Sequence, residues 1–163
     1  MARLNDCKVN LKDLHRMMKE MNRKISIKVG ILAPEASKKH SGSNLTMAEL
    51  GMIHEFGSAD GKIPARSFLR VPILSSEGLR KIRRHYREIL YNDLEVDRAL
   101  CSSNKNHLTD ASTYAAEMAH YLVLEAFATA GGGSWEPIKS AEDSKILIDT
   151  KELMRSISYK VEE

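Results

Sequence analysis

Cysteine is scarce in this chain. Its two thiols, Cys7 and Cys101, lie far apart and fit no metal-binding spacing. A disulfide between them is not expected in a reducing compartment. No apolar run approaches the roughly 20 residues that span a bilayer, and the opening "MARLNDCKVN" has no apolar stretch of the signal-peptide kind. The expected place of synthesis is therefore a cytosol, with no membrane partner. Aromatic residues make up only 6% of the chain, so bases would find few rings to stack on. The net charge of +3 is too small to argue for a nucleic-acid binder.

Catalytic signatures are missing as well. Six histidines are present, at 15, 40, 54, 85, 107 and 120, and none sits at metal-ligand spacing from another His or a Cys. "IHEFG" lacks the second His of a zinc-protease helix. "GGG" at Gly131 to Gly133 follows a helix and carries no Gly-Lys-Ser/Thr, so it is not a phosphate loop. No Ser occupies a Gly-x-Ser-x-Gly elbow. Nothing in the text brings two of Glu49, Glu55, Asp60 and Asp149 together as a carboxylate pair. The expectation is no enzyme, no metal and no cofactor.

What is present is a globular balance. At 163 residues, with 42% hydrophobic and 29% charged, the chain suits one domain with a real core. A first helix is expected from Asn10, capped by Asn10 and Asp13. Leu11, Leu14, Met17, Met18 and Met21 form its apolar stripe, read as core packing. "KISIKVGIL" alternates, with Ile25, Ile27, Val29 and Ile31 on one face of a strand. A polar loop over about 33–45 reads as flexible. Thr46 and Glu49 make a capping box for a short helix through Phe56, stopped by Gly57. "SADGK" is a turn, and "KIPARSFLRVPI" is expected to be extended, because Pro64 and Pro72 restrict themselves and the residues before them.

An amphipathic helix is expected from Ser75 to about Tyr91, with Leu79, Ile82, Tyr86, Ile89 and Leu90 inward. Asp93 is the candidate cap of a further helix through Leu100. "CSSNKNH" reads as a loop, and Thr109 opens a well-buried helix to about Thr129. A flexible surface loop over about 131–145 carries the single Trp. Asp149 and Glu152 signal a short helix. In the closing "SISYKV", Ile157, Tyr159 and Val161 alternate with Ser156, Ser158 and Lys160. Two one-sided strands near opposite ends cannot each bury a face alone. The expected fold is α+β in a single domain: a small antiparallel sheet, with strands near 25–32 and 156–161, packed on several helices.

Arg80, Arg83, Arg84 and Arg87 form a stripe beside the apolar side of the Ser75–Tyr91 helix. Such a stripe fits phosphates, a solvated face, or acidic residues of a neighbouring subunit. No aromatic residues interleave with it.

The order "VGIL", "MAELGMIHEFG", "IPARSFLR", "GGSWEPI", "ILIDTKELMRSISYKV", from about Lys28 to Val161, resembles the tail-component family of long-tailed bacteriophages. These are small neck or tail-completion proteins that join head to tail. Where that family's usual text is "DTG", this chain has "DTK", which bears on the turn at Lys151. The resemblance implies a structural virion protein, assembled in the host cytoplasm, without catalysis or cofactor. It implies a homo-oligomeric ring, commonly of six copies, around the DNA channel. The implied neighbours are the head–tail adaptor and the tail terminator, with possible non-specific contact between passing DNA and Arg80, Arg83, Arg84 and Arg87. The alternative is a small basic nucleic-acid-binding adaptor. A ring contact joins unlike patches of adjacent subunits, and a stiff segment loses little entropy on docking. The candidate interface is Glu55, Phe56, Ile63, Pro64, Arg66, Phe68, Leu69 and Arg70. In it Pro64 sets the backbone, Phe68 and Leu69 are apolar anchors, Arg66 and Arg70 bind carboxylates, and Glu55 pairs with Arg66.

Overall fold

The computed structural model describes residues 15, 18–19, 22–41, 43–100, 107–136 and 151–162. Strand β1 covers Ser26–Ile31 and pairs antiparallel with β2, Ile157–Glu162, with Val29 opposite Tyr159 and Ile31 opposite Ile157. Helices follow as α1 Met47–Phe56, α2 Arg70–Leu74, α3 Ser76–Leu100, α4 His107–Ala128 and α5 Glu152–Arg155. The fold is small α+β, and the expected pairing of the two terminal strands is present.

Helix α4 is the centre of the molecule. It packs on α3, α2 and both strands. Its inner side is rich in small residues: Ala111, Ala115, Ala116, Ala119 and Ala126 are all buried, beside Leu122, Val123 and Phe127. Small side chains let neighbouring backbones approach closely, while Phe127 fills the wider end. There Phe127 meets Phe68 at 5.0 Å between ring centroids and Trp135 edge-on at 6.0 Å, geometries that aromatic quadrupoles favour. Leu153, Ile157, Val29, Ile31 and Ile73 complete this core. Helix α3 leans its apolar side on α4, with Leu79, Ile82, Tyr86, Ile89 and Leu90 half-buried as expected. Lys81 reaches Glu125 of α4 at 3.8 Å.

Several expectations need correction. Trp135 is core rather than surface-loop, at 9% exposure. The triple-glycine turn carries it inward: Gly131 donates to the Ala126 carbonyl at 2.8 Å and Trp135 to that of Ala130 at 3.2 Å. A Cβ on Gly131 would overlap the indole, and its φ of 65° already favours glycine. Segment 63–74 is not extended throughout, because Arg70–Leu74 is helical. Pro72 lies in the first turn of α2, where a missing N–H breaks no intrahelical bond. Helix α3 runs unbroken through Asp93 to Leu100, and α4 begins at His107 instead of Thr109.

The loop near 33–45 is pinned rather than loose. His40 donates to Leu45 O at 2.9 Å, Met47 to Lys38 O at 2.8 Å, and Lys39 bridges Thr46. Ile27 is 40% exposed, beyond the reach of the core that covers Val29 and Ile31. Met18 is helical but 57% exposed, so it is no core residue here. The rest of that opening stripe, both cysteines, Asp149 and most of the 131–145 loop lie outside the described residues.

Candidate functional site

Helix α1 begins with the expected capping box. Glu49 N donates to Thr46 Oγ1 at 3.3 Å, and Thr46 N donates to Glu49 Oε2 at 2.8 Å. Those bonds hold the Glu49 carboxyl below its ordinary range, the Thr46 backbone contributing most. The box fixes the helix start, so that Glu55 and Phe56 emerge from the last turn.

Glu55 is buried, and its carboxylate organises the next element. It accepts from Ser67 Oγ at 2.5 Å, Leu69 N at 2.9 Å and Arg70 N at 3.1 Å. Leu69 and Arg70 are the N-cap and first residue of α2, whose early N–H groups have no intrahelical partner. Ser67 Oγ also accepts from Val71 N at 3.1 Å. A carboxylate from one helix thus caps the start of another. A negative group at a helix N-terminus is favoured by charge as well as by hydrogen bonding.

The turn between them closes on itself. Ser58 N donates to Ile63 O at 2.9 Å, and Ile63 N to Ser58 Oγ at 2.8 Å. Asp60 accepts from Ser58 Oγ and Lys62 N, and these bonds hold its carboxyl below the usual range, the Ser58 hydroxyl first. Gly57 has φ 85°, and a Cβ there would press on the Ile63 carbonyl and Ala65 amide at 3.1 and 3.2 Å.

The expected Glu55–Arg66 pair does not form. The Arg66 amide donates to His54 O at 2.7 Å. Its guanidinium runs the other way, to the Glu136 carbonyl, with Nε at 3.3 Å and Nη2 at 2.9 Å. Arg66 is 2% exposed, and burial lowers its pKa. The cation nearest Glu55 is Arg70, with Nε at 3.8 Å. His54 lies nearby with Nδ1 buried and unpartnered among the described residues. Burial, then the Arg66 charge, pushes its pKa down to about 4.

The structure brings all eight candidate interface residues together at the α1–α2 junction but divides their work. Glu55, Arg66 and Phe68 are buried; Pro64 and Leu69 are half-buried, and Leu69 packs on the core. They form the frame, so Phe68 and Leu69 are core residues and not docking anchors, and Arg66 is not free to bind a partner. Phe56, Arg70 and, at the edge, Ile63 face solvent. The Arg70 guanidinium lies 5.2 Å from the Phe56 ring centroid, a cation–π arrangement.

Three further exposed residues were missed by sequence reasoning: Met52 at 63%, Val71 at 57% and Leu74 at 60%. Met52 is one turn from Phe56 on α1, a spacing visible in the sequence. Val71 and Leu74 flank Arg70 on α2, which the prolines disguised as extended chain.

Arg80, Arg83, Arg84 and Arg87 are all exposed on α3. Arg84 Nε lies 3.8 Å from Glu88, while Arg80 and Arg83 meet no carboxylate within ion-pair distance among the described residues. An open depression of about 280 Å³ is lined by Lys38, Lys39, Ser41, Glu152 and Arg155, among others. Its carboxylate is already engaged: Glu152 accepts from Ser41 Oγ at 2.6 Å and Ser41 N at 3.2 Å. Among the described residues no group of three or more His, Cys, Asp or Glu could hold a metal ion, and no helix is long and apolar enough to cross a membrane. No family model, curated protein or solved structure matches this chain.

Proposed function

We propose that this chain is a structural subunit of a bacteriophage neck, a tail-completion protein that joins head to tail by assembling with its own copies into a ring. The motif order from Lys28 to Val161 supports the family reading. The observation that carries the assembly reading is the bare cluster of Met52, Phe56, Val71 and Leu74 around Arg70. Contiguous apolar surface on a soluble chain marks an interaction site. The frame beneath it is rigid, because Glu55 caps α2 and Arg66 ties the junction to Glu136. A surface held in shape before docking loses little entropy on binding.

Sedimentation of the purified chain over a range of concentrations tests self-association. A monomer at every concentration refutes it. A phage deprived of the protein should yield DNA-filled heads without tails, and fully tailed particles would refute the neck role. The exposed, uncompensated Arg80 and Arg83 favour one other reading, a basic nucleic-acid-binding adaptor. Binding of duplex DNA by the monomer, weakening steeply with salt, would select that reading instead.

A further inference from the structure

We infer that the Tyr114–Glu117–Tyr121 stripe of α4 is the surface on which the Phe56–Arg70 patch of a second copy docks. This rests on the self-association reading and names its second half. Tyr114 and Tyr121 are 43% and 57% exposed, and Glu117 between them also faces solvent. At spacings of three and four residues they share one helix face.

Helix α4 is otherwise the most enclosed helix of the molecule, so two bare tyrosines on it are out of place. Tyrosine is enriched in interfaces because it offers a large, stiff, amphipathic surface. Glu117 accepts from Tyr159 Oη at 3.0 Å but meets no cation within ion-pair distance among the described residues.

The patch has the opposite shortfall. Arg70 is a cation whose nearest carboxylate, Glu55, stands 3.8 Å away and already serves three other donors. Patch and stripe are therefore complementary, each apolar with one unbalanced charge of opposite sign.

They also lie on different sides. The stripe is flanked by His85 of α3, whose ring is 6.1 Å from that of Tyr114, and by Tyr159 of β2. The patch belongs to α1 and α2. A contact between two separate surfaces is heterologous, and repetition of it builds a ring or an open chain.

Two blocked variants test this by analytical ultracentrifugation, with circular dichroism as the check on folding. Phe56→Asp spoils the patch and leaves the Glu55 bonds alone; Tyr121→Arg spoils the stripe. Each alone should lose self-association at least tenfold. Mixed together they should form a one-to-one dimer and nothing larger, since one copy keeps its patch and the other its stripe. Failure of the mixture to dimerise overturns the pairing. If Tyr121→Arg assembles as the parent does, the pairing is wrong while self-association stands. If the parent chain is monomeric throughout, both fall.

Discussion

Replacing Glu55 by alanine should cost this protein about 3–4 kcal/mol. The carboxylate serves the Ser67 hydroxyl and the amides of Leu69 and Arg70. Hydrogen bonds to a charged group contribute roughly 1.5–3 kcal/mol each. Simple addition overstates the loss, because Arg70 is exposed and water can reach its amide. Leu69 is half-buried, so its amide is the costlier orphan. Losing a helix cap alone typically costs about 0.5–2 kcal/mol, and the Ser67 bond adds to that. Glu55→Gln keeps an oxygen acceptor but loses the charge, so it should cost about half as much. Urea unfolding followed by far-UV circular dichroism, at one fixed protein concentration, measures both variants. The m-values should match the parent. A cost below about 1 kcal/mol for Glu55→Ala, or an equal cost for both variants, would refute the capping account.

Three other outcomes are expected. Phe68→Ala should lose about 3–5 kcal/mol by opening a cavity between Phe127 and the sheet, whereas Phe56→Ala should change monomer stability by less than about 0.5 kcal/mol while weakening association; denaturant titration and sedimentation separate the two. His54 titrates near 4 in the folded state against an ordinary 6.5, so the unfolded chain binds its proton more readily between those values. Its contribution to stability is complete above about pH 6.5 and is lost as pH falls toward 4. The amount is about 2 kcal/mol once the partly exposed ring is allowed its solvent screening, and His54→Gln should remove that slope from a series of melts. Lys151 stands at φ 39°, a left-handed conformation, just before α5; Lys151→Gly should raise stability by about 0.5–1 kcal/mol in the same unfolding assay.

The two strands and their pairing were legible because alternation with period two survives in "SIKVGI" and "ISYKVE". The capping box was legible because Thr46 and Glu49 are spaced for it. Helix α2 was not. Two prolines within nine residues argue for extended chain, yet a proline in a helix's first turn meets no steric or hydrogen-bonding objection, and Glu55 supplies the cap from outside. That cap is tertiary and leaves no local trace. The same gap explains the Glu55–Arg66 error: a short turn brings the residues near each other, but near does not fix direction, and the Arg66 side chain crosses to Glu136. Trp135 was misread for a related reason, since glycines that look like loop text here reverse the chain sharply enough to return the indole to the core. The neighbourhood of the docking patch was found, while its bare members Met52, Val71 and Leu74 were not, because exposure is decided by what fails to pack on a residue.

Arg66 joins positions 70 residues apart with two donors on one carbonyl. A lysine there would present an ammonium on a limp stem, and could not grip that oxygen with a planar fork. The segment just past the three glycines would then lose its tether, and the indole behind it would have nothing to hold it against rotation. Slow amide exchange at Trp135 in the parent chain, and fast exchange in Arg66→Lys, is therefore how this one side chain would make itself felt far from where it is rooted.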